Sequence, residues 1–260
     1  MSGEHRMLIV ETFAEHGILI RLNRPEKRNA LATDMLGALA DVLDEAGRDE
    51  AIRCAVITGG DKIFAAGADI NELVSRDTAG ALSDPRPALW ARIRGFAKPL
   101  IAAVEGWSLG AGNELVMCCD LVVAGRGAKF GQPETNLGII PGAGGTAILP
   151  RLVGRSRAMR MVLLGDPIGA EEALQAGLVA QVVNDGEALD GALTLAERII
   201  ARAPVAMRQG KALVNAVLDT HVTAHLAMER QGFAALFGTQ DRTEGVRSFL
   251  EKRPAQWKGA

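Results

Sequence analysis

Two glutamates could do chemistry because each lies beside glycine-rich backbone. Glu114 falls in SLGAGNELVMCCDLVVAG, Ser108 to Gly125, an apolar run entered through the turn residues Gly110, Ala111 and Gly112. A carboxylate withdrawn from water is costly unless it is paired, hydrogen-bonded or kept protonated for a purpose. Glu134 follows in FGQPETNLG, where Pro133 and Gly138 constrain the local path. One carboxylate acting as base and another as acid is the arrangement expected for proton transfer next to a carbonyl. Ala111 and Gly112 precede the helical-looking NELVMCCD, so their amides are expected at a helix N-terminus, where free N–H groups and the dipole favour negative charge. With the amide of Ala68, which follows Gly67 in FAAGADI, they would form an oxyanion hole. Plainer explanations exist for each feature alone: glycines that only permit turns, a Glu114 that complements the dipole, and a Glu134 that is solvated.

Other chemistries find weaker support. FAAGADI, GWSLGAGNEL and GIIPGAGGT each follow a predicted strand, yet none fits GxxxxGK[ST], and neither GAGNEL nor GAGGTA completes GxGxxG, so a phosphate loop is disfavoured. His221, His225 and Glu229 share one helix face at i, i+4, i+8, but no HExxH or second ligand cluster accompanies them, and no metal site is expected. Cys118 and Cys119 have no histidine near in sequence to activate them and read as core. Lys211, Lys252, Arg253 and Lys258 could meet an anion, although scattered lysines usually serve solubility.

The elements that must position these residues are legible. GILIRL alternates as a strand, and Thr33 is expected to cap a helix in which Met35, Leu36, Leu39, Val42 and Leu43 share a face. CAVITGG, PLIAAVEG and LVVAG are continuous apolar strands, which implies a parallel sheet covered on both faces. From about Arg155 helical segments dominate, and no linker-like or repetitive tract separates the two parts. The fold class is α/β, with a core over 1–200 and a helical region over 201–260. Apolar helices at the end of a chain suggest a subunit interface. Twenty-nine basic against 31 acidic residues give a net charge of −2, without the basic footprint of a nucleic-acid binder. No apolar run approaches the roughly 20 residues needed to span a bilayer. Three cysteines without a CxxC, and an opening MSGEHRMLIVETF without a leader pattern, point to a reducing, cytoplasmic compartment.

NRPEKRNAL, FAAGADINEL, KPLIAAVEGWSLGAGNELVMCCDLVVAG, AKFGQPETNLGIIPGAGGTAILPRLVG, MVLLGDPIGAEEALQAGLV and DRTEGVRSFLEKRPAQWKG resemble the enoyl-CoA hydratase/isomerase (crotonase) family from end to end. DPRPALWARIRGFAKPLIAAV with LGAG most resembles the branch that hydrates 2,3-dehydroadipyl-CoA in bacterial phenylacetate degradation. The resemblance implies a spiral of repeated ββα units, a helical C-terminal trimerisation region and a hexamer built as a dimer of trimers. It places the catalytic pair on Glu114 and Glu134 and the oxyanion amides on Ala68 and Ala111, with Gly142 near the attacking water. It implies coenzyme A as the substrate's carrier, with no metal or redox cofactor. CoA contacts would come from backbone around Ala66, Ala68, Asp69 and Ile70 and from cations at Lys27, Arg28 and Lys258, the last from a neighbouring subunit.

Isomerases of the family typically manage with the acid corresponding to Glu134 alone, so having both carboxylates favours hydration. An isomerase and a non-catalytic CoA- or RNA-binding scaffold are the alternatives. Ala111 where glycine is frequent, Asn113 beside Glu114, and GGTAIL in place of GGTQRL are departures that bear on substrate preference and loop rigidity. An ω-carboxylate on the acyl chain would want a cation, for which Arg86, Arg92 and Arg94 are candidates.

Overall fold

The computed structural model describes residues 4–5, 7–74 and 76–260; residues 1–3 and 6 of the strand-like opening lie outside the described residues. Eleven strands are described: β1 (Glu4–His5), β2 (Leu8–Phe13), β3 (Gly17–Leu22), β4 (Cys54–Thr58), β5 (Ile63–Ala65), β6 (Leu100–Val104), β7 (Trp107–Leu109), β8 (Leu121–Gly125), β9 (Lys129–Gly131), β10 (Ile168–Gly169) and β11 (Gln181–Val183). They form a seven-stranded sheet in the order β1-β2-β3-β4-β6-β8-β11 and a four-stranded sheet in the order β10-β9-β7-β5. Between β3 and β11 every pairing in the larger sheet is parallel, as continuous apolar strands require.

The spiral is visible in how consecutive strands alternate between the sheets. β4, β6 and β8 lie side by side in the large sheet, and their successors β5, β7 and β9 lie side by side in the small one. Each turn of chain thus contributes a long buried strand and then a three-residue strand. The short strands end beside the glycine-rich segments, so successive turns stack FAAGADI and SLGAGNEL next to each other. β5 pairs with β7 and β7 with β9 in parallel, which fixes that stacking.

Two packed layers hold the large sheet. On one face lies the helix Thr33–Arg48, burying Met35, Leu36, Leu39 and Leu43. On the other, Ala188, Ala192, Ala196 and Ile200 of the helix Ala188–Ile200 pack on Val56, Ile101 and Val123. Three alanines at i, i+4 and i+8 let that helix lie close to the strands. Its N-terminus is held by Glu105 at the end of β6, which accepts from the amides of Gly186 at 2.9 Å and Ala188 at 3.0 Å.

Thr33 is not the cap. Ala32 occupies the cap position and offers no side-chain bond. Glu72, from the helix Ile70–Val74, accepts from the Thr33 amide at 3.0 Å and from its hydroxyl at 2.7 Å. A distant carboxylate satisfies the first amide of the helix, and the threonine hydroxyl becomes a donor itself.

The C-terminal helices Pro204–Ala216, Val222–Leu236 and Gln240–Glu251 follow. Lys211 is no free anion receptor: its Nζ pairs with Asp120 Oδ2 at 2.8 Å and donates to the Lys98 carbonyl at 2.8 Å, tying the first of these helices to the start of β6. Arg253 is likewise engaged, its guanidinium pairing with Glu244 at 2.6 Å and Glu251 at 2.7 Å. His225 faces Thr220, Nδ1 to hydroxyl at 3.2 Å. Exposed Phe233, Phe237, Phe249 and Leu250 leave this region with a partly apolar surface. Among the described residues no helix is long and apolar enough to cross a membrane.

Candidate active site

The stacked glycine segments open onto a cavity of about 200 Å³. Ala66, Ala68, Ile70, Ala111, Glu114, Glu134 and Gly142 all line it. Residues brought together from four separate stretches of sequence therefore share one cavity. Arg86, Trp90, Leu137 and Ile140 close the rest, so the lining is mostly apolar with a few polar groups.

The backbone donors depend on glycine at two places. Gly67 has φ +121 and Gly110 has φ +50, conformations that disfavour a side chain. Each immediately precedes one of the two alanines whose amides were expected to form the oxyanion hole. Ala111 opens the helix Ala111–Val116, and among the described residues neither its amide nor that of Ala68 finds an acceptor. Ala111 itself has an ordinary negative φ, so the β-carbon in place of glycine needs no strained backbone.

Glu114 is 3% exposed. Its Oε1 accepts from the amides of Ala143 at 2.7 Å and Gly145 at 2.8 Å, both on the GAGG loop. Burial raises its pKa above the ordinary carboxylate range, opposed by those two amides and by the charges of Arg94 and Arg86. Glu134 opens the short helical turn Glu134–Leu137. Burial, reinforced by the negative charge of Glu114, pushes it up to about 7. Its carboxylate abuts the Gly110 turn: a β-carbon there would stand 3.0 Å from Glu134 Oε1. Two carboxylates in one cavity, both held above the ordinary carboxylate range, can act as base and acid closer to neutrality.

Three features escaped the sequence reading. The amides of Ala143 and Gly145 fix Glu114, for which the GAGG run was the only signal. Arg94 donates from Nη1 to the Ala143 carbonyl at 2.8 Å. Gln132 is fully buried, and with its amide turned to satisfy both partners, the nitrogen donates to Glu134 Oε1 at 3.0 Å and Oε2 at 3.2 Å. Asn113 is also fully buried, with its Oδ1 unpartnered among the described residues.

Several expected groups are engaged with other partners or lie outside the cavity lining of this chain. Arg92 is held by Asp44 at 2.7 Å and Asp41 at 2.6 Å. The carboxylate of Asp69 pairs with Arg24 at 3.2 Å; against the cost of burial, hydrogen bonds from Asn71 and Arg24 hold it below its usual range. The Ala66 amide is taken by the Arg28 carbonyl at 3.1 Å. Lys27 lies in the turn Pro25–Lys27, outside the cavity lining. Lys258 is placed elsewhere because its amide donates to Asp241 at 2.7 Å, and it borders a separate cleft with Lys98 and Arg208. Burial pushes the Cys118 thiol up to about 12, which leaves it protonated and inert.

The family model for enoyl-CoA hydratase/isomerase matches residues 13–260. The chain is 49% identical over 242 residues to the 2,3-dehydroadipyl-CoA hydratase of Escherichia coli, covering 93% of this chain and 95% of that one. It is 42% identical to a crotonyl-CoA hydratase of Syntrophomonas wolfei, covering 92% and 93%. Among solved structures, an enoyl-CoA hydratase subunit from Geobacillus kaustophilus superposes with a TM-score of 0.94 at 37% identity, covering 98% of both chains.

Proposed function

The chain belongs to the enoyl-CoA hydratase/isomerase family, and from that premise we propose that it adds water across the 2,3 double bond of 2-enoyl-CoA thioesters to give 3-hydroxyacyl-CoA. The observation that carries this reading is the presence of Glu114 and Glu134 in one cavity with the Ala68 and Ala111 amides. The thioester oxygen sits between those amides, which stabilise the negative charge that develops as the β-carbon is attacked. Glu114 accepts a proton from water while its oxygen bonds to C3. Glu134 supplies a proton to C2, so one water is consumed and both carboxylates reset by exchanging the proton. The two amides that hold Glu114 Oε1 leave its other oxygen for the water. An isomerase would need only one carboxylate to shuttle a proton, which leaves the amide-held Glu114 without a task. Coenzyme A enters as the carrier of the substrate, and the reaction requires no resident cofactor.

The acyl end of the cavity supports a finer reading. Of the three arginines considered, only Arg86 lines the cavity. Its Nε and Nη2 are fixed on Asp84 at 2.8 Å and 2.7 Å, while Asp84 is shared with Arg76. The guanidinium's remaining edge offers donors for an ω-carboxylate on a short chain, in keeping with the named substrate of the Escherichia coli relative. The exposed Phe233, Phe237 and Phe249 support a homo-oligomer, read as a hexamer of two trimers whose C-terminal region 201–260 supplies contacts to neighbours. Three free thiols suit a cytoplasmic location.

The test is loss of enoyl-thioester absorbance with crotonyl-CoA, trans-2-hexenoyl-CoA and 2,3-dehydroadipyl-CoA, with product identified as the 3-hydroxy thioester. Hydration of crotonyl-CoA is expected. A dehydroadipyl-to-hexenoyl ratio of kcat/KM above one that collapses about tenfold or more in Arg86→Gln supports the ω-carboxylate. Turnover of 3-enoyl-CoA to 2-enoyl-CoA without hydration would replace the reading with isomerisation.

A further inference from the structure

Arg94 ends the helix Arg86–Arg94, on the outer side of the GAGG loop. Although the residue as a whole is exposed, its Nη1 reaches in to the Ala143 carbonyl at 2.8 Å. The same residue, Ala143, donates its amide to Glu114 Oε1 at 2.7 Å, and Gly145 adds the second bond at 2.8 Å. A continuous path thus runs from the guanidinium through the single residue Ala143, by way of its carbonyl on one side and its amide on the other, to the carboxylate. Gly144 between the two donors has φ +126, a conformation that glycine adopts freely and that lets the amides on either side of it converge on one oxygen.

We infer that Arg94 is a positioning residue of the active centre, clamping the 142–145 loop so that its two amides converge on Glu114. The inference rests on the hydratase reading for its kinetic consequences, and on geometry alone for its structural one. Besides Arg94, Glu114 faces Glu134 on its turn and Arg86 with its partner Asp84 across the cavity, and on its own stretch of chain the protonated thiol of Cys118. Arg94 contributes a second effect, because its charge favours the ionised form of Glu114, as that of Arg86 does. The loop itself brings only backbone.

Arg94→Met removes both the clamp and the charge, and Arg94→Lys keeps the charge with a single donor. With crotonyl-CoA, Arg94→Met is expected to lose about 10- to 100-fold in kcat with KM changed only a few-fold. The acid limb of its kcat/KM profile should move up by about half a pH unit or more, a size discounted for the exposure of Arg94. Arg94→Lys should recover most of both. A merely structural role would lower the folded fraction and leave the limb where it is. Carbon-13 titration of the Glu114 carboxylate, assigned by its disappearance in Glu114→Gln, should show the same upward movement in Arg94→Met and requires no turnover. An unmoved Glu114 titration, or a loss of rate with an unmoved acid limb that lysine fails to rescue, overturns the inference. Absence of hydration in the unsubstituted protein would overturn the hydratase reading instead, while the carbon-13 titration still tests Arg94.

Discussion

Gly112→Ala should disable the site by wedging apart the two strands of backbone that carry its amides. Gly112 lies in the first turn of the helix Ala111–Val116 and has no positive φ, so an alanine there is unstrained in conformation and the problem is space alone. An added β-carbon would stand 2.3 Å from the Ala65 carbonyl oxygen and 2.8 Å from the Ala65 β-carbon. Ordinary carbon–oxygen contacts are about 3.3 Å, so helix and strand must separate by about 1 Å. Ala65 ends β5 and leads directly into Ala66–Ala68, so the separation falls between the amides of Ala68 and Ala111. Overpacking of this kind costs about 1–3 kcal/mol, or roughly 2–12 °C in Tm at this chain length. A misplacement of about 1 Å in a catalytic constellation costs about 100-fold in rate. Gly142→Ala is the matched control, because nothing lies within 4 Å of the added carbon. It should leave Tm in place, and any rate effect should come from crowding the cavity. Calorimetry and crotonyl-CoA kinetics on the two variants decide the matter. Gly112→Ala with unchanged Tm and rate would refute the close approach on which the two-amide site depends.

The pH dependence of kcat/KM should be bell-shaped. Glu134 must carry its proton, so the rate falls as pH rises through about 7; Glu114 must be ionised, so it also falls on the acid side, at a limb above the ordinary carboxylate value of 4.5. A rate flat from about pH 6 to 9 would contradict the assignment of the acid. Lys211→Met should destabilise the fold by about 1 kcal/mol in urea titration, since Asp120 loses its cation at 2.8 Å and keeps the Leu100 amide at 2.7 Å, a size discounted for its partial exposure. Adding Asp120→Asn should return part of that loss, and a double variant no more stable than the single one would argue that the pair does not act as a unit.

How much of this was legible in the sequence follows the length over which a pattern can repeat. CAVIT, LIAAV and LVVAG are long enough to declare themselves, and they became the neighbouring strands β4, β6 and β8. IFA, WSL and KFG are three residues each, too short for periodicity, and they read as the start of glycine loops although they form the second sheet. Glu114 and Glu134 were legible because a carboxylate beside glycines in apolar sequence is anomalous. Gln132, Arg94 and the Glu72 cap were not, because their partners are chosen by tertiary contact. The same holds for charge. Arg86, Arg92 and Arg94 were equivalent candidates in sequence, and packing sends one to the cavity, one to Asp41 and Asp44, and one to a loop carbonyl.

The most direct test of the central claim is the hydration rate of crotonyl-CoA by the unsubstituted protein, Glu114→Gln and Glu134→Gln, each checked for retained fold and CoA-thioester binding. Both amides are near-isosteric with the carboxylates but can neither take the proton from water nor deliver one to C2. The two-carboxylate account predicts rapid hydration that each substitution alone reduces by about 100-fold or more. Full hydration in either variant would contradict it.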